Sequence, residues 1–318
     1  MTRVLFVLSY PAELRRLYAQ GLQSAFPEIE VAVVADRVQA EQTVREADVL
    51  LTFAPMVSKE VLAAGVKLKW VQVLGTGVDG VADCPTLRPD VLVTNVSGIH
   101  GAPMSEAALS AMLALSRDLP RSVRCQDRRE WERWPASLLH RKTLGILGVG
   151  AIATELAPRA KALGMTVVGI SQSVRAIDGF DRVVARSDLK SAVRDIDYLV
   201  VLTPLTPETM GIVDADVLAA MKPDACVVNL ARGGVVDEDA LFEALSAKRL
   251  RGAALDVFAT EPLPPDHRLW TAPNLLLTPH LGGYHDRYVD DAMPIVVANM
   301  GHFLAGRLDR MSGRIART

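Results

Sequence analysis

Short apolar runs rich in Val, Ile and Leu recur along the whole chain, and most are continuous rather than alternating. They are Val4–Leu8, Ile29–Val34, Val49–Phe53, Trp70–Leu74, Val91–Val96, Leu144–Leu147, Met165–Ile170, Tyr198–Leu202, Cys226–Leu230, Ala253–Phe258 and Leu275–Leu277. Continuous apolar runs are how strands covered on both faces read. Between them lie amphipathic stretches with helical spacing, for example Ala12–Ala25, Ala151–Leu163, Asp214–Met221 and Glu238–Ala247. Strands alternating with helices predict parallel sheets joined by right-handed crossovers. Eleven strands are many for one such sheet, so the pattern predicts two. The divider is Pro103–Leu119, with Pro103 suited to a first helical turn. That helix is apolar almost all round, which predicts burial between domains, in a subunit interface, or both.

Length agrees: 318 residues at roughly 150 per domain give about two domains. Lys plus Arg is 35 against 37 for Asp plus Glu, so the net charge of −2 gives no electrostatic reason to bind nucleic acid or an anionic membrane. Arg121–Arg133 is dense in arginine, but acidic residues and Trp131 and Trp134 interrupt it, which reads as a solvated helix or loop. Three separated cysteines and six scattered histidines make neither a disulfide framework nor a metal site. No signal-peptide pattern and no run approaching the ~20 apolar residues of a membrane span is present, which predicts a cytoplasmic protein.

Leu144-Gly-Ile-Leu-Gly148-Val-Gly150-Ala151-Ile152-Ala153 reads as strand, tight turn and helix start, and fits G-x-G-x-x-A. Gly148 allows the turn, Gly150 admits a pyrophosphate to the backbone, and Ala153 lets helix pack on strand. The N–H groups at the helix start, around Ala151 and Ile152, then face the phosphates. Pro158 is anomalous inside the helix that follows. After the next strand, NAD-binding proteins place an Asp or Glu for the ribose 2′-hydroxyl. Here stands Ser171-Gln172-Ser173-Val174-Arg175. The hydroxyls of Ser171 and Ser173 and the Arg175 guanidinium suit a 2′-phosphate, which favours NADP(H), with NAD(H) as the alternative.

Three later segments each put polar residues just past a strand: Asn229-Leu-Ala-Arg232-Gly-Gly-Val-Val-Asp237-Glu, Asp256-Val-Phe-Ala-Thr-Glu261-Pro-Leu-Pro, and Thr278-Pro-His280-Leu-Gly-Gly. In a parallel sheet such positions line the binding crevice. A guanidinium can hold a 2-oxo acid's carboxylate and polarise its ketone, and a histidine with a carboxylate partner can protonate the alkoxide. Gly233 and Gly234 imply close backbone approach to something.

From Gly75 to Gly283 the chain resembles the D-isomer-specific 2-hydroxyacid dehydrogenase family, in its glyoxylate/hydroxypyruvate reductase-like form. The motifs above occur in that family's order and spacing. The resemblance implies Arg232 as substrate clamp, His280 as acid/base and Glu261 as its partner. It implies that Asp256 meets the nicotinamide carboxamide, that Thr203-Pro204 lies against the cofactor, and that Ala231 and Gly282 also line it. It implies that Gly75-Thr76-Gly77-Val78-Asp79 binds the substrate carboxylate through the N–H groups of Thr76 and Gly77.

The architecture expected is two Rossmann-like or flavodoxin-like α/β domains separated by an active-site cleft that closes about a hinge. Residues 1–101 with 285–318 form the substrate domain and residues 102–284 the dinucleotide domain. A homodimer through the 103–119 helix is expected. The predicted activity is NAD(P)H-dependent reduction of a small 2-oxo acid to the D-2-hydroxy acid. Alternatives are a short phosphoglycerate dehydrogenase and, in another class, a cofactor-sensing corepressor-like binding protein. A formate dehydrogenase is disfavoured, because those enzymes have Gln at the place of Glu261. His100, Met104 and Gly282-Gly283-Tyr284 depart from the family's commonest residues and leave the choice of substrate open. For His285, Trp131 and Trp134, packing or exposure outweighs a place in the pocket.

Overall fold

The computed structural model describes residues 1–317, and the chain divides into two compact units. One comprises Met1–Ile99 and the chain from Asp286 onward; the other is His100–His285.

The first unit is built on five parallel strands: β1 (Arg3–Val7), β2 (Glu30–Val34), β3 (Val49–Thr52), β4 (Trp70–Val73) and β5 (Leu92–Thr94). Their order is β2-β1-β3-β4-β5. β3 and β4 are buried along their whole length, which is why their sequences carry no alternation. The returning chain completes this unit. Its helix Tyr288–Leu304 packs Tyr288, Met293, Val296 and Met300 against Trp70, Tyr18 and Leu22. Tyr288 Oη donates to Leu74 O at 2.8 Å, and Asn299 Nδ2 donates to Gln72 Oε1 at 2.9 Å.

The second unit holds seven parallel strands: β6 (Thr143–Leu147), β7 (Thr166–Ser171), β8 (Arg182–Ala185), β9 (Tyr198–Val201), β10 (Cys226–Asn229), β11 (Gly252–Leu255) and β12 (Leu275–Leu277). Their order is β12-β11-β10-β9-β6-β7-β8. The strand sequence reverses between β6 and β9, the topological switch point at which open α/β sheets bind ligands. Because every pairing is parallel, all seven C-terminal ends share one edge.

Among the described residues there are thus twelve strands where the apolar pattern gives eleven. The added one, β8, is a four-residue edge strand whose residues are exposed or half-buried, too short and too wet for the pattern to register. The helix expected at Pro103–Leu119 stands at Gly101–Arg117. It buries Met104, Ala108, Met112 and Leu115 and fits closely against the helix Ala151–Ala162, but its other side stays open within the unit, with Leu113 42% exposed. Pro158 lies on the exposed side of Ala151–Ala162, where the carbonyl it deprives of a donor faces water, and its ring packs toward the Gly179 turn. Among the described residues no helix is long and apolar enough to cross a membrane.

Candidate active site

The turn after β6 is a cradle with room in it. Gly148 has φ +99°, and a Cβ there would lie 2.6 Å from the Thr203 nitrogen, so only glycine fits between the β6 and β9 loops. A Cβ on Gly150 would meet nothing within 4 Å. Gly150 is the N-cap of Ala151–Ala162 and offers no side chain to the first-turn N–H groups, so those donors at and after Ala151 and Ile152 face open space. Such an end suits an anionic pyrophosphate. Beside it lies a cavity of about 430 Å³, lined among others by Gly148, Ser171, Thr203 and Pro204. These features fit a dinucleotide. Ser173 and Arg175 are exposed and do not line the cavity; Gln172 and Arg186 do.

Across the switch point, three neighbouring loops carry the polar residues. After β10, the Asn229 side chain shapes the turn: its Nδ2 donates to Arg232 O at 2.9 Å and its Oδ1 accepts from Ala231 N at 3.1 Å. Half-buried Arg232 donates from one NH group to Ala231 O at 2.7 Å. A Cβ on Gly233 would sit 1.8 Å from the Phe258 carbonyl carbon. The close approach implied by that glycine is therefore to the β11 loop and not to a ligand. Asp237 serves as the N-cap of Glu238–Ser246, its Oδ1 accepting from Ala240 N at 2.9 Å, so the end of this motif is scaffold.

The loop after β12 is organised by Asp256, which is 2% exposed. One carboxylate oxygen accepts from Thr278 Oγ1 and from Leu281 N at 2.8 Å; the other accepts from Gly282 N at 2.8 Å. The His280 N–H is taken by Asp256 O at 2.9 Å and Thr278 O at 3.0 Å. These bonds hold His280 at φ +55°, a left-handed conformation that costs a non-glycine residue about 1–2 kcal/mol. Gly282 packs against Asp256 and Met104, and Gly283 against His100. The start of Gly101–Arg117 thus borders the same loop. In the sequence His100 is only a departure from pattern; its proximity to the site is readable only in three dimensions. Burial, then the charges of His285 and Arg232, hold the His100 imidazole below its ordinary range.

His280 Nδ1 donates to Glu261 Oε2 at 2.8 Å, and Glu261 Oε1 accepts from Phe258 N at 3.0 Å. The pair stays open to a reactant, the His280 side chain keeping 44% of its surface and that of Glu261 30%. The hydrogen bond to Glu261 holds the His280 pKa above its ordinary value, against burial and the Arg232 charge. Burial raises Glu261, but the bonds from His280 and from Phe258 N–H outweigh it and leave the carboxyl below its usual range. With Nδ1 committed, Nε2 is the nitrogen left for a substrate.

This edge therefore joins a dinucleotide cradle, a half-buried guanidinium and a histidine–carboxylate pair. Residues 109–282 match the family described as "D-isomer specific 2-hydroxyacid dehydrogenase, NAD binding domain". The chain belongs to this family. It is 34% identical over 88% of its length to D-3-phosphoglycerate dehydrogenase of Methanocaldococcus jannaschii, of which that match covers 54%. The chain spans about half the length of the curated relatives it matches. Among solved structures it is similar to a D-isomer specific 2-hydroxyacid dehydrogenase family protein from Aeromonas salmonicida, with TM-score 0.89 and 34% identity over 100% of this chain and 99% of that one. It is also similar to an NADPH-dependent glyoxylate/hydroxypyruvate reductase from Sinorhizobium meliloti in complex with NADP and sulfate, with TM-score 0.84 and 28% identity over 100% and 99%.

Other candidate residues of this family member lie elsewhere. Thr76 and Gly77 follow β4 in the first unit, where Thr76 Oγ1 donates to Val96 O at 3.1 Å and Asn95 Nδ2 donates to Thr76 O at 2.7 Å. Trp131 is 94% exposed, and the Arg121 guanidinium stacks 4.4 Å over the Trp134 ring. Among the described residues one group has metal-ligand spacing, Cys125, Glu130 and Glu132, but Arg128 and Arg121 already neutralise its carboxylates.

Proposed function

We propose that this chain reduces a small 2-oxo acid, of glyoxylate or hydroxypyruvate type, to the D-2-hydroxy acid with NADPH, and uses NADH less well. One observation carries the reading: the 2.8 Å His280–Glu261 pair on the same strand edge as Arg232 and the glycine cradle. A bound nicotinamide supplies the hydride. Arg232 holds the substrate carboxylate and polarises its ketone oxygen. His280 gives its Nε2 proton to that oxygen as charge develops there, and Glu261 keeps the ring oriented and protonated. Asp256 fixes the backbone that carries His280, and its second carboxylate oxygen retains capacity for a carboxamide N–H. The N–H groups of Thr76 and Gly77 take the carboxylate role that their loop's resemblance implies. The reading includes a homodimer through the open side of Gly101–Arg117, and no nucleic-acid or membrane partner.

A phosphorylated 2-oxo acid is the second reading, favoured by the phosphoglycerate dehydrogenases among the relatives. Initial rates with glyoxylate, hydroxypyruvate, its phosphate ester, pyruvate and phenylpyruvate against both coenzymes test both readings. Turnover of an unphosphorylated acid is expected, and Arg232→Ala should lower kcat/KM by roughly 10²–10³-fold while cofactor affinity stays unchanged. NADPH binding with no turnover of any of these acids contradicts the enzyme reading and favours a cofactor sensor.

A further inference from the structure

The adenosine half of a dinucleotide whose nicotinamide meets Arg232 and His280 falls on the other side of the glycine cradle, over β7 and β8. The cavity there has one basic residue in its lining, Arg186, in the turn immediately after β8. Arg186 is half-buried. Arg175, the arginine nearest in sequence to the end of β7, is exposed and outside the lining.

We propose that Arg186 is the residue that selects NADP(H), by binding the ribose 2′-phosphate from the neighbouring strand's loop, with Ser171 and Gln172 at the end of β7 as its uncharged companions. This rests on the NADP(H) reading above and assigns the discriminating charge within it. Two features of the lining support the assignment. The first is the absence of an acid at the end of β7, where Ser171 and Gln172 present only neutral groups to the cavity. The second concerns the lining's single carboxylate, Glu208. It accepts from Thr206 Oγ1 at 2.7 Å, and that bond, followed by its own backbone N–H and then the Arg186 charge, keeps it below the ordinary carboxylate range. Glu208 is thus already partnered within its own loop, and Arg186 is the one cation that shares the lining with it. A guanidinium offers a phosphate two parallel N–H donors, which a ribose hydroxyl cannot exploit. The cation costs NADH little and rewards NADPH alone, which is selection by one group rather than by a tighter pocket.

Calorimetric titration of the full chain with adenosine 2′,5′-bisphosphate and with 5′-AMP reads this without turnover. The wild type should prefer the bisphosphate. Arg186→Ala should weaken bisphosphate binding by roughly 10–100-fold and leave 5′-AMP binding in place, which also reports that the variant is folded. Arg186→Gln, which keeps most of the stem, reads the same ratio if the alanine variant does not fold. A wild type without preference overturns the coenzyme reading and this assignment with it. A preference that survives both Arg186 variants overturns the assignment alone. Loss of the preference in Arg175→Ala, with Arg186 variants unchanged, gives the role to the β7 arginine and likewise overturns it.

Discussion

At the scale of single residues, the glycines divide by what surrounds them. Gly233 is required because two loops of the protein touch, and a methyl group there would collide with the Phe258 backbone. Gly150 is different, because its missing side chain leaves empty space at a helix N-terminus. Sequence alone gives both the same reading, as backbone that something approaches. The structure separates a glycine required by packing, Gly233, from one with open space beside it, Gly150. Gly150→Val should therefore keep the thermal midpoint near that of the wild type, while NADPH affinity, read by quenching of protein fluorescence, drops by at least about tenfold, since each misplaced charged hydrogen bond is worth ~1.5–3 kcal/mol. An equal loss of stability and affinity would mean that the position is structural. Asp256 makes the same point from the polar side. Its carboxylate is committed to three donors in the loop that holds His280, so a residue that reads as a cofactor contact also fixes the backbone that carries His280.

At the scale of elements, the apolar runs locate strand ends to within three residues because a parallel sheet covered on both faces leaves no room for polar positions. The exception, β8, lies at the sheet edge with Arg182 exposed and its other residues half-buried, so nothing forces a continuous apolar run there. Missing β8 also hides Arg186, whose place beside the cofactor cavity depends on the strand before it. The helix Gly101–Arg117 is legible as apolar but not as one-sided. Its open side and the helix after it expose Leu113 at 42%, Leu119 at 49% and Val123 at 57%. The proposed homodimer would cover these side chains. Sedimentation at micromolar concentration should give a dimer, and Leu113→Asp with Val123→Asp should give a monomer with unchanged circular dichroism. A monomeric wild type would contradict the dimer.

At the scale of the whole molecule, the seven-stranded sheet distributes the tasks by position. β6 and β9 flank the switch point and the glycine turn, β7 and β8 lie on one side of it, and β10, β11 and β12 on the other lead into the loops that carry Arg232, Asp256 with Glu261, and His280. The chemistry is legible in the sequence because each group follows a strand directly, and a parallel sheet puts all such positions on one edge. His100 and the Arg186 side are not, because their elements reach the site by packing rather than by strand order. The proposed mechanism makes His280, raised by its bond to Glu261, the group that exchanges the proton. The pH dependence of kcat/KM in both directions, which reports the groups of the enzyme before the substrate binds, decides it. Reduction uses protonated His280 and should fall as pH rises through a pKa above the ordinary 6.5; oxidation uses the neutral ring and should rise through the same pKa. Glu261→Gln should move both limbs to lower pH. Limbs that run in the same direction, or that stay in place in Glu261→Gln, would contradict the account.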